Sequence, residues 1–133
     1  MDKKFKQLTL MLLGLFLIGF STQVQGQDLN EAKRAIKKGD QEKRSNNYGE
    51  AIQAFNTCLE ITSQISDDPE ASELNQIARK KVTKSHLDYA NDLLKQDSLD
   101  KSLKHYNKAI ELAKKFDQSD YLTKAETNVS KVY

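Results

Sequence analysis

Few side chains in this chain could do chemistry. His86 and His105 are the only histidines, and Cys58 is the only cysteine. A histidine can serve as a general base or a metal ligand, and a thiolate as a nucleophile, but each needs an activating partner within reach. The two histidines lie 19 residues apart, and neither has a second ligand-type residue at a recognised metal spacing. Asp88 and Asp92 follow His86 in the manner of acidic residues on a helix surface. No activating cation or base flanks Cys58 on its helical face, so its expected role is a buried, inert small residue. There is no glycine-rich phosphate loop, and the serines are scattered on polar faces without a histidine partner. Asn128-Val129-Ser130 matches a glycosylation acceptor, but it falls in a helical stretch and the pattern is frequent by chance. The expectation is a non-enzyme with no metal and no cofactor.

The N-terminus reads as a leader. Lys3, Lys4 and Lys6 precede a run of 13 residues, Leu8 to Phe20, that is apolar but for Thr9 and its glycines. A membrane span needs about 20 apolar residues, so an uncleaved anchor is the weaker reading. Val24 and Gly26 are small enough for signal-peptidase pockets, which predicts a signal peptide over 1–26, cleavage after Gly26 and a periplasmic or secreted mature chain. No second apolar run follows, so no stable membrane insertion is expected after cleavage.

Of 21 basic and 19 acidic residues, the leader carries three lysines and Asp2, leaving 18 of each in the mature part. A zero balance argues against a nucleic-acid partner, which would require a net basic footprint. The local cluster Lys33, Arg34, Lys37, Lys38, Lys43 and Arg44 reads as a solvated helix face opposite Glu31, Asp40 and Glu42. With one cysteine there is no internal disulfide, so the fold must rest on packing.

The elements that must position these side chains are helices. Proline occurs once and β-branched runs are nearly absent, which predicts an all-α chain of about five helices. Asp28-Leu29-Asn30-Glu31 resembles a capping pattern and opens a helix over 29–44. Ser45-Asn46-Asn47 breaks it, and Ala51, Ile52, Phe55, Cys58, Leu59 and Thr62 mark a second helix over 48–65. A third, over 69–95, starts with Pro69 at its first position and carries Ala71, Leu74, Ile77, Ala78, Val82, Leu87, Ala90, Leu93 and Leu94. Gln96-Asp97-Ser98 precedes a fourth over 99–116, and Asp117-Gln118-Ser119 a last one with Tyr121, Leu122, Ala125, Val129, Val132 and Tyr133. Short breaks predict antiparallel neighbours.

Two segments are self-similar at a constant offset of 51. Tyr48, Ala51, Phe55, Cys58 and Leu59 align with Leu99, Ser102, Tyr106, Ala109 and Ile110, and Glu60 aligns with Glu111. Small residues at 51, 58, 102 and 109 would let helices approach, and aromatics at 55 and 106 would fill the groove between them. This pattern resembles the second-helix signature of the tetratricopeptide repeat family. Gly39 and Ala90 fit the small eighth place of the family's first helix. Glu42 and Leu93 depart from its aromatic eleventh place, and the 51-residue spacing exceeds the usual 34, which puts the excess in the long third helix and the loop before it. The resemblance covers 29–133, within a repeat domain of 27–133. It implies stacked helical hairpins forming a short solenoid, with units over 29–65 and 69–116 and a partial unit over 119–133. Residues 127–133 resemble the opening of a further repeat. That predicts either a relative of a longer array cut in mid-signature, which is favoured, or a face that docks on another chain or a second copy.

Members of this family usually hold ligands in the concave groove lined by the first helix of each pair. Carried onto matching positions, the resemblance implies Lys84, Leu87, Asn91, Leu94 and Lys95 in the second unit, with Lys124, Thr127 and Lys131 in the third. Asn91 would then bond a peptide backbone and the lysines would hold a carboxylate. On that reading Asn91 and Lys95 could be removed without loss of stability. The expected function is a non-catalytic protein-interaction module holding a protein or peptide partner, the alternatives being a subunit that self-associates through its C-terminal helix, or the N-terminal sensor part of a longer signalling protein.

Overall fold

The structure, a computed structural model, describes residues 28–133. The expected leader and its cleavage point lie outside the described residues. Five helices follow one another: α1 over 28–44, α2 Tyr48–Ser63, α3 Pro69–Lys95, α4 Leu99–Lys115 and α5 Ser119–Val132. Among the described residues there is no strand, and no helix is long and apolar enough to cross a membrane. Each helix packs against the next, and α3 also touches α5.

The helix ends show why the chain turns where it does. Asn46, Asp97 and Asp117 sit at φ of 61°, 63° and 57°, the left-handed region, each just past a helix C-terminus. The amide of Asn46 donates to the Lys43 carbonyl at 3.0 Å and that of Asn47 to the Glu42 carbonyl at 2.8 Å. Asp97 and Ser98 repeat the pattern onto Leu94 and Leu93, and Asp117 and Gln118 onto Lys114 and Ala113. This paired closure satisfies the last free carbonyls of a helix and usually employs glycine. Here Asn and Asp stand in, because their short polar side chains tolerate that backbone better than other residues with a Cβ. Asn47, Ser98 and Gln118 end one helix and begin the next, and none makes a side-chain cap bond. A left-handed backbone residue, with no side-chain cap bond, ends each of these helices.

The remaining joint differs. The Thr62 hydroxyl donates back to the Cys58 carbonyl at 2.8 Å and accepts from Asn75 Nδ2 at 2.8 Å, and α2 ends at Ser63, two residues short of its expected end. Asp68 then caps α3 in the ordinary way, accepting from the amides of Glu70 and Ala71 at 2.8 and 3.2 Å, with Pro69 in the first turn. Asp28 is itself helical, one residue before the expected start of α1.

Packing follows the small-against-large pattern read at offset 51. Ala51, Phe55, Ala90, Tyr106 and Ala109 are all fully buried. Phe55 packs with Ile52, Val82 and Leu112, and Tyr106 with Leu87, Ala90, Ala109 and Ala125. A third cluster joins Ala32 and Ala35 of α1 to Cys58 and Ala78. Ser102, the counterpart of Ala51, is also buried, and its hydroxyl donates to the Ala90 carbonyl at 2.8 Å. Tyr48, Leu59 and Ile110 are half-buried. Leu99, expected in the seam, is instead 43% exposed. Its counterpart Tyr48 is half-buried and stacks on Tyr89, at 5.4 Å between ring centroids.

Gly39 is buried against Phe55. A Cβ there would stand 2.7 Å from ring atoms Cδ1 and Cζ and closer still to Cε1. In an open helix, Gly→Ala adds about 1 kcal/mol of stability. At position 39 the clash outweighs that gain, and Gly39→Ala should lower unfolding free energy by about 1–3 kcal/mol, measured by urea denaturation. Adding Phe55→Leu to the same chain should recover part of the loss. At the joints, Asp97→Gly should hold or raise stability, whereas Asp97→Val should cost about 1–2 kcal/mol by placing a β-branched residue at positive φ.

Candidate functional site

One face of α1, α3 and α5 forms a shallow groove. Its first part, about 570 Å³, is lined by Asp40, Lys43 and Arg44 from α1, Phe55 from α2, Lys80, Lys81 and Lys84 from α3, and Tyr121 from α5. The second part, about 610 Å³, continues past Lys80 and Tyr121 to Arg79, Phe116, Gln118 and Lys124. α3, 27 residues long, lies between the other two: its Lys81 pairs with Asp40 of α1, and the adjacent Lys80 lines the groove with Tyr121 of α5. Lys80 and Lys84 are one helical turn apart and so share a face.

Cations dominate the groove although residues 27–133 carry no net charge. Seven line its two parts, Lys43, Arg44, Arg79, Lys80, Lys81, Lys84 and Lys124, against the carboxylates of Asp40, Asp117 and Asp120. Two are held in ion pairs between α1 and α3: Lys81 with Asp40 at 2.7 Å and Lys43 with Asp88 at 2.9 Å. Lys84 stands 3.9 Å from the same Asp88. Arg79 lies over the Phe116 ring, 4.8 Å from its centroid. Among the described residues, no ion pair involves Arg44, Lys80 or Lys124. These three are exposed. The groove thus has a settled, partly neutralised wall and a set of unengaged positive charges.

The residues expected to bind divide in two. Lys84 and Lys124 line the groove. Leu87 is only 4% exposed and belongs to the core beside Tyr106, so it packs and presents nothing to a ligand. Leu94 is half-buried against the same cluster. Lys95, Thr127 and Lys131 are exposed, and the Thr127 hydroxyl donates to the Thr123 carbonyl of its own helix at 2.8 Å. Asn91 has a different role from the one expected. Its Oδ1 accepts from the Tyr106 hydroxyl and, at 3.0 Å, from Asn128 Nδ2, which ties α3 to α4 and α5 together. The same bond commits the amide of Asn128, the residue of the glycosylation pattern. The residues missed by sequence reasoning are Lys80, Lys81, Tyr121, Lys43 and Arg44. The last two were visible only as part of a solvated basic stretch.

The histidines are not separate either. His86 of α3 and His105 of α4 approach to 3.0 Å between their Nδ1 atoms, with rings stacked at 5.2 Å. Tyr89 continues the stack from His105 at 4.3 Å, and Tyr48 continues it from Tyr89. Among the described residues, no group of three or more His, Cys, Asp and Glu side chains could hold a metal. Cys58 is buried, and burial pushes its thiol up to about 11, so little thiolate exists at neutral pH.

The chain matches no protein-family model, no curated protein and no solved structure at a significant level. The tetratricopeptide resemblance therefore rests on the residues that carry it.

Asn91 is the residue whose removal now has a clear cost. Asn91→Ala would leave the buried Tyr106 hydroxyl without its acceptor and should lower stability by about 1–3 kcal/mol in urea denaturation. Lys95→Ala, at an exposed site, should change it by less than about 0.5 kcal/mol.

Proposed function

We propose that this chain is a non-catalytic protein-interaction module of the tetratricopeptide type, exported by its N-terminal leader, whose groove holds an acidic peptide segment. In this reading α1–α2 and α3–α4 are two repeats and α5 opens a third. The observation that carries the choice of partner is the segregation of charge: among the described residues Arg44, Lys80 and Lys124 make no ion pair along the groove, although residues 27–133 carry no net charge. Exposed positive charges without partners raise the local concentration of acidic chains and favour their approach. Tyr121 between the two parts offers apolar surface for a side chain of the bound segment, and its ring is half-buried and so already held in place. The ion pairs of Lys43 and Lys81 keep α1 and α3 in fixed relation, so the groove is formed before a ligand arrives. An extended peptide is a better fit than a compact ligand, because the groove is shallow and spans three helices.

The test is binding of a fluorescein-labelled ten-residue peptide rich in Glu and Asp, with a length-matched neutral peptide as control. The wild-type chain should bind the acidic peptide more tightly, with affinity falling as salt rises. Reversal of Arg44, Lys80 and Lys124 to Glu should weaken binding at least about tenfold while leaving the thermal midpoint nearly unchanged, since exposed charges contribute little to stability. Equal binding of both peptides, or by both proteins, would remove the groove as the site.

A further inference from the structure

The His86–His105 contact is a built feature. At the offset of 51 that relates the two hairpins, its counterparts are Ala35 and Ala54, both buried at 8% and 7% exposure. The second hairpin thus places two facing imidazoles where the first has two methyl groups. His86 is itself 8% exposed, and His105 is half-buried at the rim of a depression shared with Lys104, Asn107, Lys108 and Glu111 of α4. The pair also ends the aromatic stack that runs through Tyr89 of α3 to Tyr48 of α2, so Tyr89 links it to the first hairpin.

We infer that the His86–His105 pair is an acid-sensitive latch between α3 and α4, opened when the pair takes up its second proton. A neutral imidazole has one N–H and one lone pair. At 3.0 Å between Nδ1 atoms, one ring donates and the other accepts. A first proton can enter at Nε2 of the donating ring and leave that bond intact. A second proton must take the accepting lone pair, and two N–H groups then face each other with two positive charges between α3 and α4. Lys104 and Lys108 add to the repulsion, and Glu111, the one carboxylate lining the depression, is already 3.2 Å from Lys108. Tyr89, whose ring lies against His105, brings no carboxylate to the pair.

The direction of titration agrees. Burial, then His105 and Lys108, hold His86 down at about 4, with Glu111 opposing, and burial followed by Lys104 lowers His105. Both groups bind protons less readily folded than unfolded. Their contribution to stability is therefore complete above about pH 6.5 and is lost as pH falls from there towards 4.

The experiment compares the wild-type chain with His86→Ala/His105→Ala, which installs the first hairpin's own solution. Urea unfolding at pH 7 and pH 4 is measured for both, so that carboxylate titration cancels in the comparison. The wild-type unfolding constant should rise on the order of 10–100-fold more than that of the variant. An equal rise in both would overturn the latch. A second readout needs no variant: NMR titration of the two imidazoles in the wild-type chain. Two separated transitions, the later one at or below about pH 5 and accompanied by faster amide exchange in α3 and α4, support the latch. Two coincident transitions near pH 6.5 overturn it.

Discussion

The structure depends on how closely α1 can approach α2, and α3 can approach α4, around one large buried ring. In the first hairpin the ring is Phe55 and the surface that admits it is Gly39, where not even a methyl group fits. In the second hairpin the ring is Tyr106, with Ala90 and Ala109 beside it. Interiors are packed at crystal-like density, so such a ring decides the distance between its helices. With the interhelix distance set, the ion pairs, the bridging amide and the aromatic stack come within reach of their partners.

Polar contacts then choose among the ways the hairpins could slide on one another. Apolar side chains such as Ile52, Val82 and Leu87 tolerate many registers, whereas a hydrogen bond tolerates few. Lys81 with Asp40 and Lys43 with Asp88 hold α1 beside α3. Asn91 holds α3 to α4 and α5 through one oxygen. Cys58 is the only cysteine and is free, so no covalent link helps. The groove is a by-product of this arrangement: once α1, α3 and α5 lie side by side, Arg44, Lys80 and Lys124 point into shared solvent.

Much of this was legible in the residues. The helix limits at Tyr48, Pro69 and Lys95 follow from local rules of turn chemistry and from the 3.6-residue period of apolar side chains. The seam positions follow from self-similarity at offset 51, since equivalent residues in equivalent hairpins meet equivalent surfaces. Leu99 shows where that logic ends. It occupies the place of Tyr48 but is 43% exposed, whereas Tyr48 stacks on Tyr89 of α3, a contact between rings that offset arithmetic does not carry along. Asn91 shows the same for the site. On its own helix it steps in register with Lys84, Asp88 and Lys95, but its oxygen is taken by partners 15 and 37 residues away.

The amino-acid sequence alone determined what is local or periodic: five helices, their joints, and which side chain of each pair is small and which is large. Those properties depend on neighbours three, four or 51 positions along the chain, and spacing is visible in a sequence. The tertiary structure decided what depends on distance across helices. It separated lysines that merely step along a face from those that line a common groove. It also brought two histidines on different helices into hydrogen-bond contact. Electrostatic and hydrogen-bond energies vary with separations of a few ångströms, and such separations exist only once α1, α3, α4 and α5 are packed.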